Sequence, residues 1–170
     1  MNKIAKFEKV SFSQYLKDFK NTFEDFDEEE IKIIYDRITL PKRATKGSAG
    51  YDIYTPFSFK LVPGESIKIP TGIKVKIEDG WVLQIFPRSG LGFKYRLQLD
   101  NTVGIIDSDY YGALNEGHIF CKITNDTYEE KCVEVLYNQA FAQGIFLPFG
   151  ITVDDEADEV RTGGFGSTTK

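Results

Sequence analysis

The sequence predicts an all-β domain, a sandwich or barrel, preceded by a short helical segment. Runs rich in β-branched and aromatic residues are separated about every eight to twelve residues by glycine or proline, a spacing typical of such folds. Residues 73–77 alternate strictly between apolar side chains and lysine, as a half-buried antiparallel strand requires. The 170 residues are enough for one domain with a substantial core.

The N-terminal segment has a helical rather than a strand pattern. Between Ser11 and Phe23 the apolar residues recur at three- and four-residue spacing, which is typical of an amphipathic helix, and Ser11 is suited to cap it. We interpret the acidic run at 24–30 as a solvated linker or helix end, and the residues from Ile31 onward as the start of the strands. The chain is therefore divided into an N-terminal extension (1–30), a β domain (31–157) and a glycine-rich C-terminal arm (158–170).

Eight strands are predicted within the β domain. They span residues 51–54, 66–69, 73–77, 81–86, 95–99, 118–123, 132–136 and 145–147. The chain contains no internal repeat, so these strands are expected to form a single domain.

The composition excludes several classes of function. A formal charge of -5 argues against nucleic acid or an anionic membrane as the main partner, because those partners need a basic face. No run of 18 apolar residues and no secretion signal is present, so we expect a cytoplasmic protein without a membrane span. His118 is the only histidine, and the chain lacks the cluster of histidine and cysteine that catalytic zinc requires.

The C-terminal arm combines an aromatic ring with glycines and hydroxyl side chains. Phe165 offers a flat apolar face for a base, while glycine backbones can approach a phosphate closely and amides and hydroxyls can donate to its oxygens. A nucleotide matches both halves of this pattern. A P-loop is excluded, because the chain lacks its Gly-x-x-x-x-Gly-Lys-Ser/Thr motif.

Three further segments lie upstream of the arm, at 48–52 (SAGYD), 87–91 (PRSGL) and 101–112 (NTVGIIDSDYYG). Together with the arm, and in this order, they resemble a trimeric dUTPase from about Ile31 to the C-terminus. The resemblance implies a distorted jelly roll that assembles into a homotrimer with active sites between subunits. It also implies magnesium-dependent hydrolysis of dUTP to dUMP and pyrophosphate.

Residues expected to bind the phosphates come from two of these segments and from a later one. At 87–91 a strand ends and a turn begins, which places a guanidinium, a hydroxyl and a bare amide together, as a phosphate cradle requires. The resemblance assigns Ser89 and Gly90 to the α- and β-phosphates, and Arg88 to phosphate contacts or to bracing the site. It also places Gln143 near the phosphates and gives Asp52 the role of orienting Mg²⁺ through bound water.

The segment 101–112 is the expected pocket for base and sugar. Gly104 would allow the close backbone approach that a planar base edge needs. The resemblance implies that Asn101 and the backbone of Ile105 and Ile106 contact uracil. It further implies that the Tyr110 ring packs under the deoxyribose and leaves no room for a 2'-hydroxyl.

Asp107 is the expected general base, activating the water that attacks the α-phosphorus, as the resemblance implies. An aspartate is ionised at neutral pH but binds protons weakly, so its effect depends on exact placement of the water. Asp109, two residues away, is expected on the other face of a strand and is the weaker candidate.

The resemblance also assigns roles to the arm. Arg161 would contact the γ-phosphate, Phe165 would stack on uracil, and Gly166, Ser167 and Thr168 would cover the phosphates, with the arm closing on a neighbouring subunit's site. The chain departs from the family pattern in having one residue instead of two between Arg161 and the Gly-Gly-Phe-Gly run, and in having 139–141 (QAF) where a charged pair is usual.

Two other functions are compatible with the sequence. One is dCTP deamination, which occurs on a related fold. The other is a protein-interaction module, because the helix at 11–23, the acidic run and the added residues 114–118 are segments that the core family does not need. These segments make the chain similar to phage-encoded dUTPases, some of which also bind regulatory proteins. A plainer interpretation is that the helix packs on its own domain.

Overall fold

The computed structural model of the chain describes residues 2–158 together with Arg161 and Gly163. The strands are β1 (Ala5–Lys9), β2 (Lys42–Arg43), β3 (Tyr51–Tyr54), β4 (Phe59–Leu61), β5 (Ser66–Pro70), β6 (Ile73–Ile77), β7 (Trp81–Pro87), β8 (Leu97–Leu99), β9 (Gly104–Ile106), β10 (Phe120–Asn125), β11 (Val133–Val135) and β12 (Ala140–Pro148). The helices are α1 (Phe12–Lys20), α2 (Glu28–Asp36) and α3 (Ser89–Tyr95), with a 3₁₀ helix at Ser108–Gly112.

The strands form small antiparallel sheets around one apolar core. The largest has the order β2-β3-β12-β7-β9, and the others are β5-β10-β8, β1-β6 and β11-β4. Within the described residues every strand pairing is antiparallel, and most of the buried apolar residues of the sheets and of α1 belong to a single cluster. The all-β prediction is therefore confirmed, including its additional helical segment.

Several predicted strands have the observed bounds and others are displaced. Strands β3 and β6 match the predicted ranges. In β6 the alternation places the isoleucines and the valine in the core and leaves the lysines outside. The strand predicted at 118–123 begins at Phe120, and the one at 95–99 begins at Leu97, because Tyr95 ends α3. Strands β1, β2, β4 and β9 were not predicted, and each is only two to five residues long.

The prediction that strands begin at Ile31 is wrong, because residues 28–36 form helix α2. Asp27 and Glu30 form a capping box, in which the Asp27 side chain accepts from the Glu30 amide and the Glu30 side chain accepts from the Asp27 amide. The acids of the first turn also suit the positive end of the helix dipole. These local interactions outweigh the strand preference of the isoleucines, and Ile31 is buried in the core.

Helix α1 packs on its own domain. Its predicted cap is confirmed, since the Ser11 hydroxyl accepts from the Gln14 amide at 3.1 Å, although the helix ends at Lys20. Tyr15 and Phe19 are fully buried, and the Phe19 ring packs edge-on against Phe57. Burial of a phenylalanine side chain such as Phe19 contributes roughly 1.5–3 kcal/mol. The plainer interpretation of the amphipathic pattern is therefore the right one.

Strand β1 also joins the N-terminal segment to the β domain. It pairs with β6 over its full length, from Ala5 opposite Ile77 to Lys9 opposite Ile73. The division of the chain at residues 30 and 157 stays a prediction. Among the described residues, no helix combines the length and apolarity needed to cross a lipid bilayer.

Candidate functional site

The predicted phosphate cradle lies where β7 ends and α3 begins. The turn expected at 87–91 is the first turn of a helix, with Arg88 at the N-cap and Ser89 as the first helical residue. The first amides of a helix have no carbonyl partner within it, so the Ser89 and Gly90 N–H groups are available to an anion. Both residues are exposed. The segment therefore presents donors, as the sequence predicts, although from a helix end.

Two other predicted residues lie beside this cradle. Asp52 Oδ1 is 3.6 Å from Arg88 Nε, an ion pair too long for a hydrogen bond. Gln143 is opposite Asp52 in the β3–β12 ladder and donates through Nε2 to the Pro87 carbonyl at 3.3 Å. The sheet thus brings together four of the predicted phosphate and magnesium residues, Asp52, Arg88, Ser89 and Gln143.

A cavity of about 600 Å³ opens beside these residues. Tyr54, Arg88, Ser89, Gly90 and Gln139 are among the residues that line it. Gln139, which stands where the charged pair is usual, accepts from the Leu136 amide at 2.9 Å. The cavity is wide enough for a polyphosphate, and its lining supplies a guanidinium, a hydroxyl and an amide side chain.

The predicted base pocket is built on β9, which is the last strand of its sheet. Only β7 pairs with it among the described residues, so its outer edge presents backbone N–H and C=O groups. Ile105 is exposed and Ile106 is buried, while Asn101 lies exposed in the loop that precedes the strand. The close approach that Gly104 allows is to β7, because a Cβ on Gly104 would lie 3.1 Å from the Ile85 Cβ.

Asp107 follows β9 directly and precedes the 3₁₀ helix. Its Oδ2 accepts from Arg161 Nη2 at 3.1 Å, and Arg161 Nε lies 3.3 Å from Asp109 Oδ1, without hydrogen-bond geometry. The prediction that Asp109 points to the opposite face is wrong, because residues 108–112 are a 3₁₀ helix rather than a strand. Both carboxylates therefore face the same guanidinium.

Tyr110 is buried beneath that guanidinium, whose central carbon lies 5.6 Å from the ring centroid. Its hydroxyl donates to the His118 carbonyl at 2.7 Å and accepts from Asn115 Nδ2 at 2.7 Å. The ring is thus fixed at its outer end and covered on one face by Arg161. A nucleoside that used this face would have to displace the arginine.

The two groups of predicted residues lie far apart in one chain. Ile106 of β9 pairs with Leu83 of β7, and the two strands are antiparallel. Asp107 therefore lies one residue beyond this pair, level with Val82, whereas Arg88 lies five residues from Leu83 in the opposite direction. Six steps along a strand span about 20 Å at roughly 3.3 Å per residue. The cradle at Arg88 and the carboxylate of Asp107 therefore cannot meet the same phosphate group within one chain.

Comparison with known proteins decides the family. Residues 36–169 match the dUTPase family model. This chain belongs to the dUTPase family. A curated relative from Lactococcus lactis, named deoxyuridine 5'-triphosphate nucleotidohydrolase, is 46% identical over 134 residues, which cover 77% of this chain and 88% of the relative.

Solved dUTPase structures show the same fold. The dUTPase of Streptococcus mutans has 33% identity and a TM-score of 0.62, with 86% of this chain and 97% of that chain covered. The dUTPase of Staphylococcus bacteriophage 80alpha has a TM-score of 0.63 at 19% identity and covers 93% of this chain and 98% of its own, a likeness of fold alone. The β domain is therefore of the dUTPase type, the distorted jelly roll that the sequence predicts.

Sequence reasoning missed the residues that hold this dUTPase's tyrosine in place. Asn115 and His118 contact the Tyr110 hydroxyl directly, and both belong to the added residues 114–118, one of the segments on which the alternative of a protein-interaction module rested. The available signal was the only histidine of the chain, which lies in an apolar run that also contains Ile119 and Phe120. A polar residue in such a run needs a buried partner.

The remaining arm residues of the family pattern fall outside the described residues. These are Phe165, Gly166, Ser167 and Thr168. Arg161 is described, and its guanidinium lies beside the carboxylates of Asp107 and Asp109 in its own chain. The assigned roles of the arm, including closure on a neighbouring subunit, stay predictions.

The acidic side chains are compatible with the magnesium ion that the family implies. The described residues contain no cluster of three or more acidic, histidine or cysteine side chains that could hold a metal on their own. Asp52 instead offers one carboxylate beside the cradle. Magnesium usually keeps several waters and takes one or two carboxylates together with substrate phosphates, so a single aspartate fits this ion.

Proposed function

We propose that this chain is a dUTP diphosphatase that hydrolyses dUTP to dUMP and pyrophosphate. The observation that carries the proposal is the continuous arrangement of the edge strand β9, Asp107 and Tyr110, which provides a base-reading edge, a carboxylate and a sugar platform in seven residues. Family membership supports the same substrate.

The free edge of β9 would form hydrogen bonds with uracil in the way that it would with a neighbouring strand. A base edge that presents matching donors and acceptors pairs with the free backbone groups, as a peptide does when it extends a sheet. Cytosine would leave buried polar groups unpaired, at about 1–3 kcal/mol each, and the methyl group of thymine would clash in a tight pocket. The Tyr110 ring would exclude a ribose by the same steric principle.

Asp107 would take a proton from the water that attacks the α-phosphorus. Its carboxylate accepts from Arg161 Nη2, so Asp107 would have to leave this ion pair before it could act as a base. Negative phosphates provide another partner for the guanidinium, and a planar fork of donors suits phosphate as well as carboxylate. Arg161 would therefore move from Asp107 to the phosphates as dUTP binds.

Magnesium would be held by the substrate phosphates and, through water, by Asp52. Bound there, it would neutralise phosphate charge and so favour attack by water. Arg88 and the amides of Ser89 and Gly90 would bind phosphate oxygens on the same side. Gln143 would support this cradle through its contact with Pro87.

The site would be completed by assembly. The separation of about 20 Å along β7 between Asp107 and Arg88 supports a site shared between chains, with the base-reading edge from one and the phosphate cradle from another. A closed homotrimer supplies three equivalent sites of this kind. We expect the cytoplasm to be its place of action.

A second role in binding a regulatory protein is weakened by the position of α1. Its apolar face is buried in the β domain and is not available as a docking surface. The start of α2 remains exposed and acidic, and Leu114 of the added residues is also exposed, so such a role would rest on these two surfaces.

The proposal is tested by pyrophosphate release, with magnesium, from dUTP, dTTP, dCTP and UTP in parallel. We expect release from dUTP alone and a loss of about 10²- to 10⁴-fold in kcat for Asp107→Asn. Asp109→Asn is the matched control, because it removes the other carboxylate that faces Arg161. Ammonia from dCTP would indicate a deaminase, and a folded, inactive wild-type chain would leave the interaction module as the better account.

A further inference from the structure

His118 is a fully buried histidine with a partner on each ring nitrogen. Nε2 accepts from the Gly72 amide at 2.8 Å, which requires the proton to lie on Nδ1. Nδ1 is 2.6 Å from Asp18 Oδ2 and therefore donates to that carboxylate. Burial lowers the pKa of His118, while hydrogen bonds from His118 and Gln14 lower the pKa of Asp18 against the opposing effect of burial. The pair is thus a neutral imidazole bonded to a carboxylate.

The backbone of the same histidine holds the sugar-binding tyrosine. The His118 carbonyl accepts from the Tyr110 hydroxyl at 2.7 Å and from Asn115 Nδ2 at 3.3 Å. Any movement of His118 therefore moves the acceptor that fixes the end of the Tyr110 ring. Asp18 lies on α1, so the anchor of this ring is set by a helix 92 residues earlier in the sequence.

Two further contacts lie between the start of α1 and the 3₁₀ helix that carries Tyr110. Glu116 accepts from the Ser11 amide and hydroxyl, and it lies 3.5 Å from Lys74 on β6. Gly117 has a left-handed backbone with φ of 71°, and a Cβ on it would lie 2.7 Å from the Tyr110 carbonyl oxygen. The inserted residues 115–118 are therefore packed between the cap of α1 and the 3₁₀ helix that carries Tyr110, whereas Leu114 is exposed.

We propose that Asp18 and His118 are positioning residues for deoxyribose recognition, which fix the Tyr110 ring from the N-terminal helix. The inference rests on the proposed function, because it gives a role to the ring in that reaction. Neither residue touches the substrate. They act through Tyr110, whose exact position decides whether a 2'-hydroxyl is excluded.

A merely structural role makes a different prediction. If the pair only attached α1 to the domain, its loss would lower the unfolding temperature and leave the selectivity of the folded enzyme unchanged. If it positions Tyr110, the ratio of kcat/KM for dUTP to kcat/KM for UTP falls, because a displaced ring admits ribose. Displacement of a positioning group by about 1 Å can cost up to 10²-fold in rate.

The test compares variants at two ends of the contact. Asp18→Ala removes the acceptor, and we expect the dUTP to UTP ratio to fall about tenfold. Asp18→Asn keeps an oxygen that accepts from Nδ1–H, so it should restore most of the ratio. His118→Gln breaks the contact with Asp18 from the other side while offering an oxygen to the Gly72 amide, and it decides the question if Asp18→Ala does not fold.

Phe19→Leu is the matched control on the same helix. Phe19 packs against Tyr15, Phe23 and Phe57, so its truncation weakens the attachment of α1 without removing any hydrogen bond of His118. It should lower the unfolding temperature and leave the ratio at the wild-type value. A wild-type ratio in folded Asp18→Ala and His118→Gln, with active wild type, would overturn the inference alone. A folded wild-type chain inactive on every nucleotide would overturn the proposed function and the inference together.

Discussion

The guanidinium of Arg161 lies 3.1 Å from the carboxylate of Asp107 in the same chain. Arg161 is largely buried, with 17% of its side-chain surface exposed, whereas Asp107 is 46% exposed. The residue assigned to phosphate recognition is therefore paired with the expected general base. Binding of nucleotide must exchange one anionic partner of the guanidinium for another.

Arg161→Gln is predicted to change the affinities for a nucleoside monophosphate and a nucleoside triphosphate in opposite directions. Affinity for dUMP should rise about two- to fivefold, because an ion pair with a half-exposed partner contributes roughly 0.2–1 kcal/mol that dUMP must otherwise displace. Affinity for a non-hydrolysable dUTP analogue should fall, because the guanidinium no longer meets the distal phosphates. Isothermal calorimetry measures both, with Arg161→Lys as the control that keeps the charge. A parallel fall in both affinities would contradict the exchange.

Mixing two inactive chains is predicted to restore activity. Asp107→Asn damages the base and Arg88→Ala damages the cradle, and their separation of about 20 Å along β7 assigns them to different chains of one site. In randomly mixed trimers about a quarter of the sites combine an intact Asp107 with an intact Arg88. We expect about that fraction of wild-type activity after the two chains are unfolded together and refolded. Activity no higher than that of either variant alone would place the site within one chain.

Gly117→Ala is predicted to impair catalysis as well as stability. Its Cβ would lie 2.7 Å from the Tyr110 carbonyl oxygen and 2.8 Å from the Tyr111 Cα, so the 3₁₀ helix must shift. Gly64→Ala is the matched control, because Gly64 also has a positive φ but no atom lies within 4 Å of the added Cβ. The control should lose about 1–2 kcal/mol of stability and keep its activity. Equal kcat/KM for dUTP in the two variants would show that Tyr110 tolerates the shift.

Local patterns predicted the parts of the fold that local interactions determine. The alternation in residues 73–77 gave β6, and the position of Ser11 before an apolar stripe gave the cap of α1. The motifs also predicted that Asp52, Arg88 and Gln143 would lie together, as they do in the sheet. In each case the signal lies within a few residues or in an ordered set of motifs.

Long-range pairings carried no such signal. His118 and Asp18 are 100 residues apart, and neither lies in a pattern that names its partner. Residues 108–112 form a 3₁₀ helix instead of the expected strand, which changes the direction of the Asp109 side chain. Side chains on a 3₁₀ helix repeat every three residues and do not alternate between two faces as they do on a strand. The strand wrongly predicted at Ile31 has a different cause, because here a local signal was present. Asp27 and Glu30 have the spacing of a capping box, but the isoleucines that follow favoured a strand.

The pH dependence of stability should report the protonation of His118. Burial lowers its pKa against the raising effect of Asp18 and Glu116, while Lys68 adds to the lowering. The unfolded chain therefore binds a proton more readily than the folded chain, and the stability present above pH of about 6.5 is lost as the pH falls below that value. One proton gives a slope of at most about 1.4 kcal/mol per pH unit.

The carboxylates whose pKa is lowered lose their stabilising effect at more acidic pH. Four carboxylates contribute stability that is present above about pH 4.5 and is lost below it, namely Glu8, Asp18, Asp100 and Glu116. The window between about pH 5 and 6.5 therefore belongs to the histidine. Urea unfolding should show that the free energy of unfolding of the wild-type chain decreases as the pH is lowered from about 6.5 to 5. In His118→Gln the free energy of unfolding should stay constant over the same range. A flat wild-type profile would mean that the folded chain accommodates the charged imidazole, with Asp18 as its counter-ion.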